Sequence, residues 1–217
     1  MTDSTRPGKI VCVGRNYRAH AKELGNEVPA EPLIFLKPPS SVIRTGGTIL
    51  LPTVSAQIEY EGEIGVVIGT TLSRADEARA ERGIRGIVAL NDVTARDLQG
   101  KYSQWLIGKS QDTFCPMGPW AVTQDELDLA TAGIRCFVNE DLRQDSRISL
   151  LIFDIPTIIA TLSQGITLKP GDIIATGTPV GVGIGFDPPR YLKPGDVVRI
   201  EIDGIGTLEN RVAEHAQ

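Results

Sequence analysis

No stretch of about 20 apolar residues runs through this 217-residue chain, so nothing in it reads as a membrane-spanning helix. Its start, Met1 to Gly8, is short and polar, without the apolar run of a signal peptide, and the expectation is a soluble, cytoplasmic protein. Cysteine is scarce. Cys12, Cys115 and Cys136 are an odd, widely spaced set with no CxxC pair, which argues against a disulfide framework or a zinc cluster and fits a reducing compartment. Histidine is scarcer still, with only His20 and His215. The net charge is −5 with a pI near 5.1, and no basic run or aromatic-basic interleaving is present, so nucleic acid is not an expected partner. An acidic protein that binds a small anion needs local positive charge, from a metal or from particular lysines and arginines.

What the chain does have is an acidic strand. From Ile58 to Gly69 the sequence reads as one buried strand whose first half places Glu59, Glu61 and Glu63 on the same face. Burying three carboxylates together costs several kcal/mol unless a cation lies among them, so either this face is solvated or it binds a metal. An all-oxygen donor set points to a hard ion, Mg²⁺ first, then Mn²⁺ or Ca²⁺. Asp92 follows a second apolar strand, Ile84 to Leu90, and can join Glu61 and Glu63 as a ligand. The alternative is that Asp92 caps a helix running from Thr94 to about Lys101, on which Arg96 and Asp97 sit either behind the site or exposed.

Earlier in the chain a strand over residues 9–13 leads through Gly14-Arg15-Asn16-Tyr17 into a short helix, Tyr17 to Leu24, with Asn16 as the expected N-cap and Gly25 just past its end. His20 and Glu23 then share one helix face, either as a surface pair or as a dyad in which the carboxylate fixes the histidine tautomer. Lys37 ends the strand Pro32 to Lys37 and points either to solvent or into a site. The stretch Trp105 to Trp120 mixes Gly and Pro with large apolar residues, the pattern of a loop laid over a site, and Lys109 within it is the best source of local positive charge. Residues 133–139 form a further strand, a helix spans Ile155 to Ser163, and Leu-Lys-Pro-Gly-Asp occurs at both 168–172 and 192–196, a type II turn entering a strand of a barrel- or roll-like sheet. The glycine-rich loop Gly177 to Gly185 lacks the context of a nucleotide loop; its backbone N–H groups or the Thr178 hydroxyl can meet a substrate carboxylate.

The segments VCVGRNYRAHAKELG, EPLIFLKP, IEYEGEIGVVIG, LNDVTARDLQ, GKSQDTFCPMGPW and GDIIATGTPVGVG occur in one order over about residues 9–205. In that order and spacing the chain resembles the fumarylacetoacetate hydrolase family, nearest to its small acylpyruvase and oxaloacetate decarboxylase branch. The resemblance implies an α+β, β-rich fold, a mixed β-sandwich or roll with short helices, in one catalytic domain over residues 9–212 between tails at 1–8 and 213–217. It implies a homodimer and a divalent metal, Mg²⁺ with Mn²⁺ or Ca²⁺ possible, held by Glu61, Glu63 and Asp92. His20 and Glu23 become the dyad, Lys109 the catalytic lysine, and Arg15, Tyr17, Lys37, Gln99 and Thr178 the substrate contacts; Glu59 is not expected to be a ligand. The implied activity is cleavage of a carbon-carbon bond in acylpyruvate-type oxo acids to release pyruvate. The alternatives are decarboxylation of oxaloacetate or isomerisation of a hydroxymuconate-type acid on the same metal, and a non-catalytic small-acid binding module.

Overall fold

The computed structural model describes residues 7–119 and 131–215. Trp120, the expected end of the loop over the site, lies outside the described residues, as do the first six residues and the last two. In chain order the strands are β1 (Ile10–Gly14), β2 (Leu33–Lys37), β3 (Val42–Arg44), β4 (Thr48–Leu51), β5 (Ile58–Glu59), β6 (Gly62–Ile68) and β7 (Ile84–Asn91). They continue with β8 (Thr94–Ala95), β9 (Cys115–Met117), β10 (Gly133–Val138), β11 (Asp141–Arg147), β12 (Ile173–Ala175), β13 (Val197–Ile202) and β14 (Gly206–Glu214). The helices are short: α1 (Arg18–Glu23), α2 (Glu77–Arg82), α3 (Arg96–Lys101), α4 (Leu106–Lys109) and α5 (Ile155–Ser163).

A seven-stranded mixed sheet runs β2-β1-β12-β6-β7-β9-β3, a five-stranded sheet runs β11-β10-β13-β14-β4, and β5 pairs β8 alone. The main core lies between the two large sheets. Val11, Val13, Ile64, Val66, Ile68, Ile87 and Ala89 meet Ile134, Cys136, Val198, Ile200, Ile202 and Leu208 there. Because side chains alternate along a strand, the next residues face the opposite way. Ile10, Cys12, Val67, Val88, Leu90, Cys115, Met117, Ile173 and Ala175 form a second, smaller core on the other side of the seven-stranded sheet. This β-rich sandwich or roll with few helices is the expected architecture.

Several local expectations are corrected. The acidic segment is two strands rather than one, since the chain leaves β5 after Glu59 and enters β6 at Gly62. Helix α1 begins at Arg18 without a side-chain cap. Asn16 instead donates to the carbonyls of Phe153 and Thr176 and accepts from the Phe153 N–H, pinning the β1 exit to two distant segments. Gly25 has φ 67 and closes the helix as expected. Helix α3 starts after Ala95, and Asp92 caps nothing. The covered stretch after Trp105 is part helix α4 and part strand β9. The two Leu-Lys-Pro-Gly-Asp turns do share a geometry, with Gly171 at φ 87, Gly195 at φ 92, and Asp172 and Asp196 accepting from the N–H groups of Lys169 and Lys193. They open strands of different sheets. Strand β14 continues to Glu214 against β4, and the His215 N–H reaches the Leu51 carbonyl, so the expected tail from 213 begins as paired strand.

Candidate metal and proton-transfer site

The alternation that builds the smaller core also builds the site. Glu63, Gly65 and Val67 share a face of β6, while Asp92 continues the face of Val88 and Leu90 on β7. The Asp92 N–H donates to the Glu61 carbonyl at 2.9 Å and the Glu61 N–H to Asn91 Oδ1 at 3.0 Å, which fixes Glu61 against Asp92. Glu61, Glu63 and Asp92 each present an oxygen within 4.8 Å of the others, and all three are buried. On β2 the pattern inverts ordinary hydrophobicity. Ile34 and Leu36 are exposed, while Phe35 packs inward and Lys37 is only 1% exposed.

Three cationic side chains enter this acidic cluster. Lys109 donates to Glu61 Oε2 at 2.7 Å and to Asp92 Oδ2 at 2.6 Å. Lys37 donates to the other Asp92 oxygen, Oδ1, at 2.5 Å and to the carbonyls of Val93 and Lys109. Arg96 bridges Glu59 and Glu61 and donates to Gln99 Oε1 at 2.7 Å. Burial pushes the Glu61 carboxyl up, but Lys109 and Arg96 outweigh it and hold it at about 2. Glu63 goes the other way: burial and the charges of Asp92 and Glu61 raise it well above the ordinary range. Lys109 stays firmly protonated, because Asp92 and Glu61 overcome the cost of burying its ammonium. Four carboxyl groups therefore face three cations, with Glu63 carrying the charge that is hardest to place.

This donor set fits a divalent metal. Three buried carboxylate oxygens converge within 4.8 Å of one another, the all-oxygen donor set that hard divalent ions such as Mg²⁺ and Ca²⁺ take. The Lys109 ammonium bridges two of the three acids as a positive stand-in. Glu59 is tied to Arg96 and to the Ile184 N–H and is not among the three convergent residues.

A cavity of about 300 Å³ opens above the cluster. Its lining includes the three acids, Lys109, Arg96, Gln99, Arg15 and Thr178, with Val13, Leu24, Phe35 and Trp105 as an apolar wall. His20, 4% exposed, also lines it. Its Nδ1 lies 3.1 Å from Glu23 Oε2, and the Gly181 N–H donates to Glu23 Oε1. Helix α1 thus brings His20 over the acids. Arg15, at φ 57, places its guanidinium 5.8 Å from the Trp105 ring centre. Thr178 is held by its own bonds, donating to the Gly62 carbonyl and accepting from Gln144 Nε2.

Two expected substrate contacts lie elsewhere. Lys37 and Tyr17 are not among the lining residues; Lys37 donates to Asp92, and Tyr17 is buried, with burial first and the charge of Glu63 second raising its phenol. The glycine-loop amides of Gly177, Gly181 and Ile184 serve the protein's own carboxylates. The sequence leaves Arg96 either behind the site or exposed, and it does not show this use of the loop. The signal available for Arg96 was its place four residues after Asp92, at the first turn of a helix.

The sequence pattern of the family described as "Fumarylacetoacetate (FAA) hydrolase C-terminal" matches residues 9–213. The chain is 46% identical over 212 residues to the oxaloacetate tautomerase YisK of Bacillus subtilis, covering 95% of this chain and 70% of that one. It is 42% identical over 211 residues to the mitochondrial oxaloacetate tautomerase FAHD2A of Homo sapiens, covering 96% and 67%. Among solved structures, a 5-carboxymethyl-2-hydroxymuconate delta-isomerase from Mycobacterium smegmatis superposes with TM-score 0.88 at 43% identity, over 98% of this chain and 81% of that one. The fumarylacetoacetate hydrolase of Exiguobacterium antarcticum gives 0.90 at 42%, over 97% and 76%. Carrying the family's pattern over nearly its whole length and folding as its members do, this chain belongs to the fumarylacetoacetate hydrolase family.

Proposed function

We propose that this chain is a metal-dependent enzyme that interconverts the keto and enol forms of a 2-oxo diacid of the oxaloacetate type. The observation that carries this is one cavity with the three acids at its floor and the His20–Glu23 pair above them. The names of the relatives, oxaloacetate tautomerase and hydroxymuconate isomerase, support the same class. Glu61, Glu63 and Asp92 hold the cation, with Mg²⁺ first. When bound it supplies Lewis-acid polarisation of the 2-oxo group. Arg15, Arg96 and Gln99 offer donors to the substrate carboxylates, and Thr178 shapes the wall between them. Glu23 accepts from His20 Nδ1–H, which leaves Nε2 to take a proton from the substrate carbon next to the carbonyl; the carbonyl oxygen takes one from solvent to complete the enol, and both transfers run backwards in ketonisation. Lys109 balances the charge that grows on the carbonyl oxygen. Lys37 acts by holding Asp92 and the backbone of Val93 and Lys109. A homodimer is the proposed assembly, read by light scattering.

A second reading is hydrolysis of an acylpyruvate, favoured by the apolar wall of Val13, Leu24, Phe35 and Trp105, which offers an acyl chain a place that oxaloacetate does not need. There His20 takes a proton from water as its oxygen adds to the distal carbonyl. The carbon-carbon bond then breaks to give the acid and a pyruvate enolate, whose carbon takes the proton from His20 to become pyruvate.

The test uses chelator-stripped protein with and without Mg²⁺. Enol-oxaloacetate is followed spectrally, and pyruvate is measured from oxaloacetate and from acylpyruvates of varied length. The expected result is Mg²⁺-dependent ketonisation above the buffer rate, lowered at least about 100-fold by His20→Ala. Pyruvate release from an acylpyruvate without faster ketonisation would replace the first reading with the second.

A further inference from the structure

One loop serves both halves of the site. Over nine residues it gives the Gly177 N–H to Glu63 Oε2 at 2.8 Å, the Gly181 N–H to Glu23 Oε1 at 2.9 Å and the Ile184 N–H to Glu59 Oε2 at 2.6 Å. The first acid belongs to the convergent triad, the second to the dyad, and the third to the partner of Arg96. Gly185 adds a steric element. A Cβ built there would sit 2.2 Å from Glu23 Oε1, 2.5 Å from its Cδ and 2.8 Å from its Cγ. Glu23 therefore lies in a socket with the Gly181 amide on one side and the bare Cα of Gly185 on another.

We infer that this loop is the positioning element of the dyad: the Gly181 amide and the absent side chain of Gly185 set Glu23, and through it the His20 ring, in register with Glu63. The physical reason is economy of freedom. A glutamate on a six-residue helix has three rotatable bonds, and its hold on a histidine three residues away is weak without further support. A backbone donor to one oxygen, the Gly181 N–H to Oε1, leaves the other aimed at Nδ1. A carboxylate only accepts, so the nitrogen facing it carries the proton. The same nine residues anchor Glu63, so the spacing between proton carrier and metal ligands is fixed by one piece of backbone. The catalytic consequence rests on the function proposed above, whereas the positioning itself does not.

Gly185→Ala is the probe of choice. The three atoms nearest its added methyl all belong to Glu23, the end of a flexible side chain, whereas a Cβ at Gly181 would lie 1.9 Å from the Arg143 carbonyl oxygen and displace backbone. With two histidines in the chain, ring-nitrogen NMR reports His20 directly and His215 serves as the internal control. The wild type is expected to hold His20 as the Nδ1-protonated tautomer. Gly185→Ala should lose that state with His215 unchanged, and kcat for the tautomerisation should fall at least about tenfold with KM little altered. Mn²⁺ affinity should match the wild type. Added to Glu23→Gln, the alanine should cost nothing more, because both changes act through one carboxylate. A second variant leaves the loop sequence intact: Glu23→Ala frees the Gly181 amide, whose hydrogen exchange should quicken at least about tenfold. Retention of the wild-type His20 spectrum in Gly185→Ala, or unchanged Gly181 exchange in Glu23→Ala, overturns the inference. If Glu23→Gln turned over at the wild-type rate, the dyad's assigned function would fall, and the spectrum would still decide the positioning.

Discussion

Lys109→Met removes the cation that bridges two metal-site acids while keeping most of the side-chain volume. Lys109 is 2% exposed and donates to Glu61 and Asp92 at 2.7 and 2.6 Å, so solvent contributes little screening. After the change Glu61 keeps Arg96 and Asp92 keeps Lys37, but each loses its contact to the bridging charge. Breaking a buried pair by deleting one partner costs about 3–5 kcal/mol. An effective dielectric near 20 gives a similar size, about 4 kcal/mol for one pair at 4 Å. The metal-free variant is therefore expected to unfold with about 3–5 kcal/mol less stability in urea. Mg²⁺ should then restore more stability to the variant than to the wild type, because a divalent ion takes the position the ammonium held. At 100 times Kd a ligand adds about 2.7 kcal/mol, and a tenfold tighter Kd adds about 1.4 more. Urea titrations with and without Mg²⁺, at matched ionic strength, make the comparison. A metal-free loss below about 1 kcal/mol, or a loss that Mg²⁺ leaves unchanged, would mean that Lys109 is not the bridging charge of this cluster.

Asn16→Ala should destabilise the fold by about 2–4 kcal/mol, since it orphans the carbonyls of Phe153 and Thr176 and the Phe153 N–H; chemical denaturation reads this directly. Stability should also fall in alkali. Burial, with Asp92 and Glu63 adding to it against Lys37, pushes the Cys115 thiol from 9.0 to about 12, so the neutral thiol's contribution is complete below pH about 9 and is lost as pH rises toward 12. Urea midpoints between pH 8 and 11 should drop, and Cys115→Ala should lessen that slope by up to about 1.4 kcal/mol per pH unit.

The parts of this protein that were legible in its sequence are those governed by neighbours along the chain. The two Leu-Lys-Pro-Gly-Asp turns, the glycine that ends α1 and the helix over Ile155 to Ser163 follow from local conformational preference. The three convergent acids and the dyad were legible through alternation and helical spacing, together with the family resemblance. What escaped reading depends on chain segments far apart. The break at Tyr60–Glu61 leaves alternation intact, because Tyr60 is taken into the core and donates to the distant Gly181 carbonyl. Asn16 looks like a cap until Phe153 and Thr176 stand beside it. Lys37 reads as a strand end that faces either solvent or a site, and the partner that holds it is Asp92, just past β7, a strand that is not a neighbour of β2. The glycine loop looks like an anion cradle, which it is, but the anions are the protein's own.

The proposed chemistry needs a divalent cation among Glu61, Glu63 and Asp92. An anomalous difference map from a crystal grown with Mn²⁺ tests it directly. The expected result is one strong peak bonded to an oxygen of each of the three acids, with the Lys109 ammonium displaced from between Glu61 and Asp92. A map without a peak there at saturating Mn²⁺, with Lys109 still bridging the two acids, would contradict it.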